Sequence, residues 1–161
     1  MQTQNLYIFE NNPSAAINLM EILKKRFNGS LTISTFFDGE SLLQNIDDNT
    51  AIVILDYDLK GERADKLLLD IKKINPTTEV IIVSSDEEIG TAIDAYRKGA
   101  TSFVRKGKNS IKRIHSIVHR IIYYPVEVIK RFFGLKELGA IFVLEVLYIG
   151  LFVFLGMMIF M

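Results

Sequence analysis

Five residues of this sequence have the types and spacing to take up a phosphoryl group. Asp56 follows the apolar run Ala51–Leu55 (AIVIL), within IVILDYDLKG. Glu10 and Asn11 follow the run Asn5–Phe9 (NLYIF), Ser84 follows Val80–Val83 with Ser85 next to it, and Lys106 follows Thr101–Arg105. A carboxylate held at the end of a buried strand can act as a nucleophile toward phosphorus, giving an acyl phosphate. That chemistry needs a cation over the phosphoryl oxygens, and Mg²⁺ takes carboxylates, carbonyls and water. Asp56 and Glu10 could hold it, with Asn11 as a neutral oxygen ligand. The Lys106 ammonium could pair with one phosphoryl oxygen as a point charge, and the Ser84 hydroxyl could donate to another. Each residue also has a plainer reading. Asp56 could merely cap a loop, Glu10 could serve a helix N-terminus, Ser84 could satisfy a nearby backbone group, and Lys106 could be one charge of a basic run. Their shared placement after strand-like runs favours the chemical reading.

The elements that must position them alternate along the chain. Between the apolar runs lie segments of helical period: Ala16, Leu19, Met20, Leu23 and Phe27; Ala64, Leu67, Leu68, Ile71 and Ile74; Ile89, Ala92, Ile93 and Tyr96; and Ile111, Ile114, Val118, Ile121 and Ile122. Leu31–Phe36 alternates like a strand and Glu40–Ile46 reads as a short helix. Asn12-Pro13 is an N-cap followed by an N1 proline, Asn28-Gly29 is a helix stop, and Pro125 is expected to close the fifth helix. The pattern is (βα)₅, an α/β fold with a doubly wound parallel sheet, right-handed crossovers and helices on both faces. In such sheets ligands sit beyond the carboxyl ends of the strands, where the five residues fall.

Residues 4–123 resemble the response-regulator receiver domain, the phosphoacceptor module of two-component signalling. That family has an acidic pair after the first strand, the phosphorylated Asp after the third, a Ser or Thr after the fourth and a Lys after the fifth. The matching positions are Glu10-Asn11, Asp56, Ser84 and Lys106. The resemblance implies a flavodoxin-like strand order 2-1-3-4-5 and a phosphoacceptor rather than an enzyme, beyond Mg²⁺-dependent self-phosphorylation and self-dephosphorylation. It implies Mg²⁺ held by Glu10, Asn11, Asp56 and the backbone carbonyl of Asp58. It also implies a switch made of Ser84 and Phe103, the latter within SFVRK where the family places an aromatic residue that changes rotamer. The implied partners are a histidine kinase or phosphotransfer protein and an unidentified output protein. There are departures. Asn11 replaces the usual second acid, so metal binding is expected to be weak. Gly107 and Lys60 stand where prolines are common, and without proline a cis bond after Lys106 would cost roughly 2.5–4 kcal/mol. Asp58 and Asp86 put further negative charge beside the site, either repelling phosphate or orienting a hydrolytic water. Asn11 and Gly107 favour an alternative, a non-phosphorylated pseudo-receiver acting as an interaction module.

Composition limits the other possibilities. The chain has 19 basic and 19 acidic residues and no cysteine. That excludes disulfides and thiolate chemistry, and argues against a nucleic-acid binder driven by bulk charge. His115 and His119 are spaced like a metal pair but have no third ligand nearby in the sequence. Charge is uneven: residues 1–104 carry −6 and residues 105–137 carry +7. Of the 24 residues 138–161, 20 are apolar, with Glu145 the single charge. A helix of that length spans about 36 Å, enough for a bilayer. The sequence therefore predicts a receiver over 1–124, a basic amphipathic juxtamembrane segment over 125–137 touching lipid, and a transmembrane helix over 138–161. The predicted location is the cytoplasmic membrane, crossed once, with the receiver facing the cytoplasm because the basic residues precede the span. Pairing of the tail helix leaves room for a homodimer.

Overall fold

The computed structural model describes residues 4–27, 29–58, 64–86, 89–133 and 144–149. Five strands and five helices alternate: β1 (Gln4–Phe9), α1 (Pro13–Arg26), β2 (Leu31–Phe36), α2 (Gly39–Asn45), β3 (Thr50–Asp56), α3 (Ala64–Ile74), β4 (Glu79–Ser84), α4 (Ile89–Arg97), β5 (Ser102–Arg105) and α5 (Ser110–Phe133). All four strand pairings are parallel, in the order β2-β1-β3-β4-β5. The order and the helical alternation are those expected of a flavodoxin-like fold.

The pleat divides the buried strand residues into two sets. Tyr7, Phe9, Val53, Leu55, Val80 and Ile82 share one core with Leu42 of α2, Leu67, Leu68 and Ile71 of α3 and Ala95 of α4. Leu6, Ile8, Ile52, Ile54, Ile81 and Val83 point the other way, and Ala16 and Leu23 of α1 and Ile114 of α5 are also buried. The Phe27 ring, just past α1, lies 5.3 Å from that of His115 on α5. Because β3 is buried on both faces, its sequence is a continuous apolar run rather than an alternation.

Local chemistry sets the helix starts. The Asn12 side chain accepts from Ala15 N–H, and Pro13 occupies N1 of α1. Asp38 caps α2 by accepting from Ser41 N–H at 2.7 Å. Gly29 takes φ +77°, the left-handed region open to glycine without Cβ strain.

Two expectations are corrected. Pro125 does not end α5, which continues to Phe133. The apolar period resumes beyond it at Val126 and Ile129, so helical pattern outweighs the roughly 3 kcal/mol that an interior proline costs. The expected single-pass location in the cytoplasmic membrane is overturned: among the described residues no helix is long and apolar enough to cross a membrane. The described part of the predicted span is a helix of residues 144–149 only. The remainder of 138–161, and residues 134–137 of the predicted juxtamembrane segment, lie outside the described residues. The chain divides into two compact units, Met1–Ile117 and Val118–Met161, and the first contains all five strands.

Candidate functional site

Strand register brings the candidate residues to one sheet edge. Phe9 pairs with Leu55, Asp56 with Val83, and Val83 with Val104. Glu10 thus emerges beside Asp56, and Lys106 beside Ser84. Two backbone bonds extend the ladder there, Tyr57 N–H to Val83 O at 2.8 Å and Lys106 N–H to Ser84 O at 2.7 Å.

Asp56 is only 5% exposed. Its carboxylate lies 2.7 Å from Lys106 Nζ and accepts from Asp58 N–H at 3.0 Å. Lys106 Nζ also lies 3.2 Å from Asp58 and 3.9 Å from Glu10. One ammonium therefore faces three carboxylates. Burial pulls the lysine down, but the hydrogen bond and charge of Asp56, with Asp58 and Glu10 behind it, outweigh burial and hold it above the ordinary lysine value. Glu10 shifts upward. Burial is the main cause; Asp56 adds to it, while the Asn12 N–H bond at 3.0 Å and Lys106 oppose it.

The Asp58 side chain does what the sequence reading did not foresee. Oδ1 accepts from Ser84 Oγ at 2.9 Å, and Oδ2 accepts from Ser85 N–H at 2.8 Å and from the Ser85 hydroxyl. Burial would raise this carboxyl, but Ser85, Ser84 and Lys106 together bring it down to about 2. The sequence signal was present, an acid two residues past Asp56 facing a Ser-Ser pair past β4, but only the strand register shows that they meet. Asp86, the other acid noted, accepts from Thr91 Oγ1 at 2.6 Å, and its N–H donates to Ser84 Oγ at 3.0 Å.

The other candidates are more scattered. Asn11 is exposed at the entry to α1. Phe103 lies on β5 beside Ile82, partly buried against the core, and its N–H donates to Tyr96 Oη at 3.2 Å. The peptide bonds around Gly107 are trans, and Gly107 adopts φ +156°. Lys60 lies outside the described residues. His119 sits 4.8 Å from the Tyr123 ring. Among the described residues no group of three or more His, Asp or Glu is arranged to hold a metal. The two adjoining carboxylates Glu10 and Asp56 still suit Mg²⁺, which commonly binds one or two carboxylates and takes its other oxygens from water and phosphate. The upward shift of Glu10 comes first from burial; the neighbouring Asp56 adds to it, and a divalent cation held between the two carboxylates would offset that added repulsion.

The DNA-binding transcriptional regulator NtrC of Escherichia coli (strain K12) is 28% identical over 105 residues, covering 64% of this chain and 22% of NtrC. The fimbriae Z protein of Salmonella typhimurium (strain LT2) is 28% identical over 132 residues, covering 79% of this chain and 62% of that protein. The chain thus spans between about a fifth and three fifths of the curated relatives it matches. Among solved structures, the response regulator DrrB of Thermotoga maritima, an OmpR/PhoB homologue, superposes with a TM-score of 0.66 at 19% identity, over 76% of this chain and 54% of that one. TrrA of Thermotoga maritima, solved in complex with Mg²⁺-BeF, superposes with a TM-score of 0.62 at 19% identity, over 74% and 99%. At these identities the superpositions speak for the fold. The model of the response regulator receiver domain family matches residues 6–119, and the chain belongs to that family, the receiver module of two-component signalling.

Proposed function

We propose that Asp56 accepts a phosphoryl group from a histidine kinase or phosphotransfer protein, and that the altered site then changes contacts with an output protein. The observation that carries this is the buried Asp56 carboxylate with the Lys106 ammonium 2.7 Å away. An Asp56 carboxylate oxygen attacks phosphorus. The bond from phosphorus to the donor's imidazole nitrogen breaks, the electron pair stays on that nitrogen, and an acyl phosphate forms on Asp56. Lys106 holds a phosphoryl oxygen by charge as negative charge redistributes, and the Ser84 hydroxyl donates to another. Mg²⁺, when bound, would neutralise phosphoryl oxygens, held by Glu10 and Asp56 with the Asp58 carbonyl and Asn11 as neutral donors. Ser84 and Phe103 are the proposed switch residues. On this reading the receiver occupies residues 1–124, an extent supported by the family match over 6–119.

The test is intact mass of the full-length protein after incubation with Mg²⁺ and acetyl phosphate. Wild type gains one phosphoryl group and Asp56→Asn gains none. No gain for wild type under any donor or metal condition rejects the phosphoacceptor. The second reading, a pseudo-receiver that only binds partners, is favoured by the exposed neutral Asn11 and by the Asp58 carboxylate on Ser84 and Lys106.

A further inference from the structure

The site already contains an anion where the proposed chemistry would put one. The Asp58 carboxylate receives the Ser84 hydroxyl at 2.9 Å, the Ser85 N–H at 2.8 Å, the Ser85 hydroxyl, and the Lys106 ammonium at 3.2 Å. Two of these, Ser84 and Lys106, are the groups assigned above to phosphoryl oxygens. Donor counting shows the conflict. A serine hydroxyl has one proton to donate, and so does a backbone N–H. While Ser84 and Ser85 donate to Asp58 they have nothing left for a phosphoryl oxygen. Only Lys106, with three protons, can serve both anions. A carboxylate and a phosphoryl dianion in adjoining positions also repel each other. Asp58 can leave: its side chain is 31% exposed on the loop after β3, whereas Asp56 and Ser84 are buried.

We infer that Asp58 is an internal competitor for the phosphoryl site: its carboxylate occupies the Ser84, Ser85 and Lys106 donors in the resting protein and must swing off them before a tetrahedral anion at Asp56 can be held. The inference rests on the phosphoacceptor reading of Asp56. It gives Asp58 a role other than that of a metal ligand or a general source of repulsion. Asp58 sets how readily the site fills, and it keeps the Ser84 hydroxyl turned toward the site before any phosphate arrives.

The experiment is a titration of full-length protein with fluoroberyllate, a tetrahedral phosphoryl mimic, in saturating Mg²⁺, followed by ¹⁹F NMR and by the Ser85 amide signal in ¹H–¹⁵N spectra. Asp58→Ala is expected to bind fluoroberyllate about tenfold more tightly than wild type, the order expected for freeing charge-assisted donors. Asp58→Asn, which keeps the shape and one acceptor oxygen, is expected to fall between them and guards against a local collapse in the alanine variant. Without Mg²⁺ or ligand, the Ser85 amide differs between wild type and Asp58→Ala. With fluoroberyllate bound, the two converge, because Asp58 has left. Equal or weaker binding by both variants overturns the competitor and leaves the phosphoacceptor standing. So does a Ser85 amide that stays different in the bound proteins. No binding by any of the three proteins overturns the phosphoacceptor reading, and the competitor with it.

Discussion

The arrangement around Lys106 explains why Asn11 matters. Three carboxylates face one ammonium at 2.7, 3.2 and 3.9 Å, so the resting site is already anionic, and a second acid beside Glu10 would add to that charge. With Asn11 the proposed metal site relies on two carboxylates. Restoring the acid with Asn11→Asp should tighten Mg²⁺ binding roughly thirtyfold, the effect of ~2 kcal/mol for a carboxylate about 4 Å from a divalent cation in a water-like environment, because position 11 is exposed. Calorimetric titration of both proteins with Mg²⁺ checks this. Equal affinities would mean that position 11 faces away from the cation. At this scale the sequence was only partly legible. Asp56, Glu10, Ser84 and Lys106 were identifiable because each follows a strand-like run, and the strands do bring them together. The Asp58 side chain was not, since its bonds to Ser84 and Ser85 span 26 and 27 residues and depend on where a loop turns.

Two helix starts show how elements feed the site and the stability of the fold. Asn12 caps α1 with its side chain while its N–H donates to Glu10 at 3.0 Å, so one residue anchors both the helix and a site carboxylate. Asn12→Ala should cost about 1 kcal/mol of stability in denaturant melts, yet leave the Glu10 bond intact because that bond uses the backbone. A larger loss of Mg²⁺ affinity than of stability would show that the cap side chain orients the site. The α2 cap carries a pH dependence. The Asp38 carboxyl is held below its ordinary value, chiefly by the Ser41 backbone N–H and then by the Ser41 side chain. Asp47 is held low chiefly by the Thr50 hydroxyl, at 2.7 Å. A carboxyl depressed in the folded state adds stability above its unfolded value, ~3.9 for Asp, and loses it as pH falls through the lower folded value. Thermal melts should therefore show stability falling below about pH 4, and less steeply for Asp38→Asn, whose amide still caps when protons bind elsewhere. An unchanged acid limb would remove Asp38 from the acid response. The (βα)₅ alternation could be read directly, because a strand buried on both faces must be apolar throughout and amphipathic helices must cover it. The end of α5 could not, because Pro125 is a local stop signal inside a segment whose period continues.

For the whole molecule, the apolar stretch 138–161 was read as a membrane span from its composition, and among the described residues no helix of that kind exists. Of that stretch the described residues are 144–149, which are helical. The sheet, by contrast, couples the entire first unit to its site. The Lys106–Asp56 contact joins residues 50 apart in sequence, and an unfolded chain has no means of keeping Glu10, Asp56 and Lys106 together. A ligand that needs all three binds the native state alone, and so raises its stability by mass action. At a fluoroberyllate concentration one hundred times its dissociation constant, with Mg²⁺ present, the gain is about 2.7 kcal/mol. For a chain of this size that corresponds to a rise in melting temperature of roughly 5–10 °C. Mg²⁺ alone should give a smaller rise. In Asp56→Asn the fluoroberyllate increment should vanish, because the carboxylate oxygen that would complete the tetrahedron is gone, while an increment from Mg²⁺ through Glu10 should survive in part. Differential scanning calorimetry on wild type and Asp56→Asn, each without ligand, with Mg²⁺, and with Mg²⁺ and fluoroberyllate, separates these terms. A fluoroberyllate increment of equal size in Asp56→Asn would place the anion site away from Asp56 and remove the link between the strand-end carboxylate and the stability of the fold.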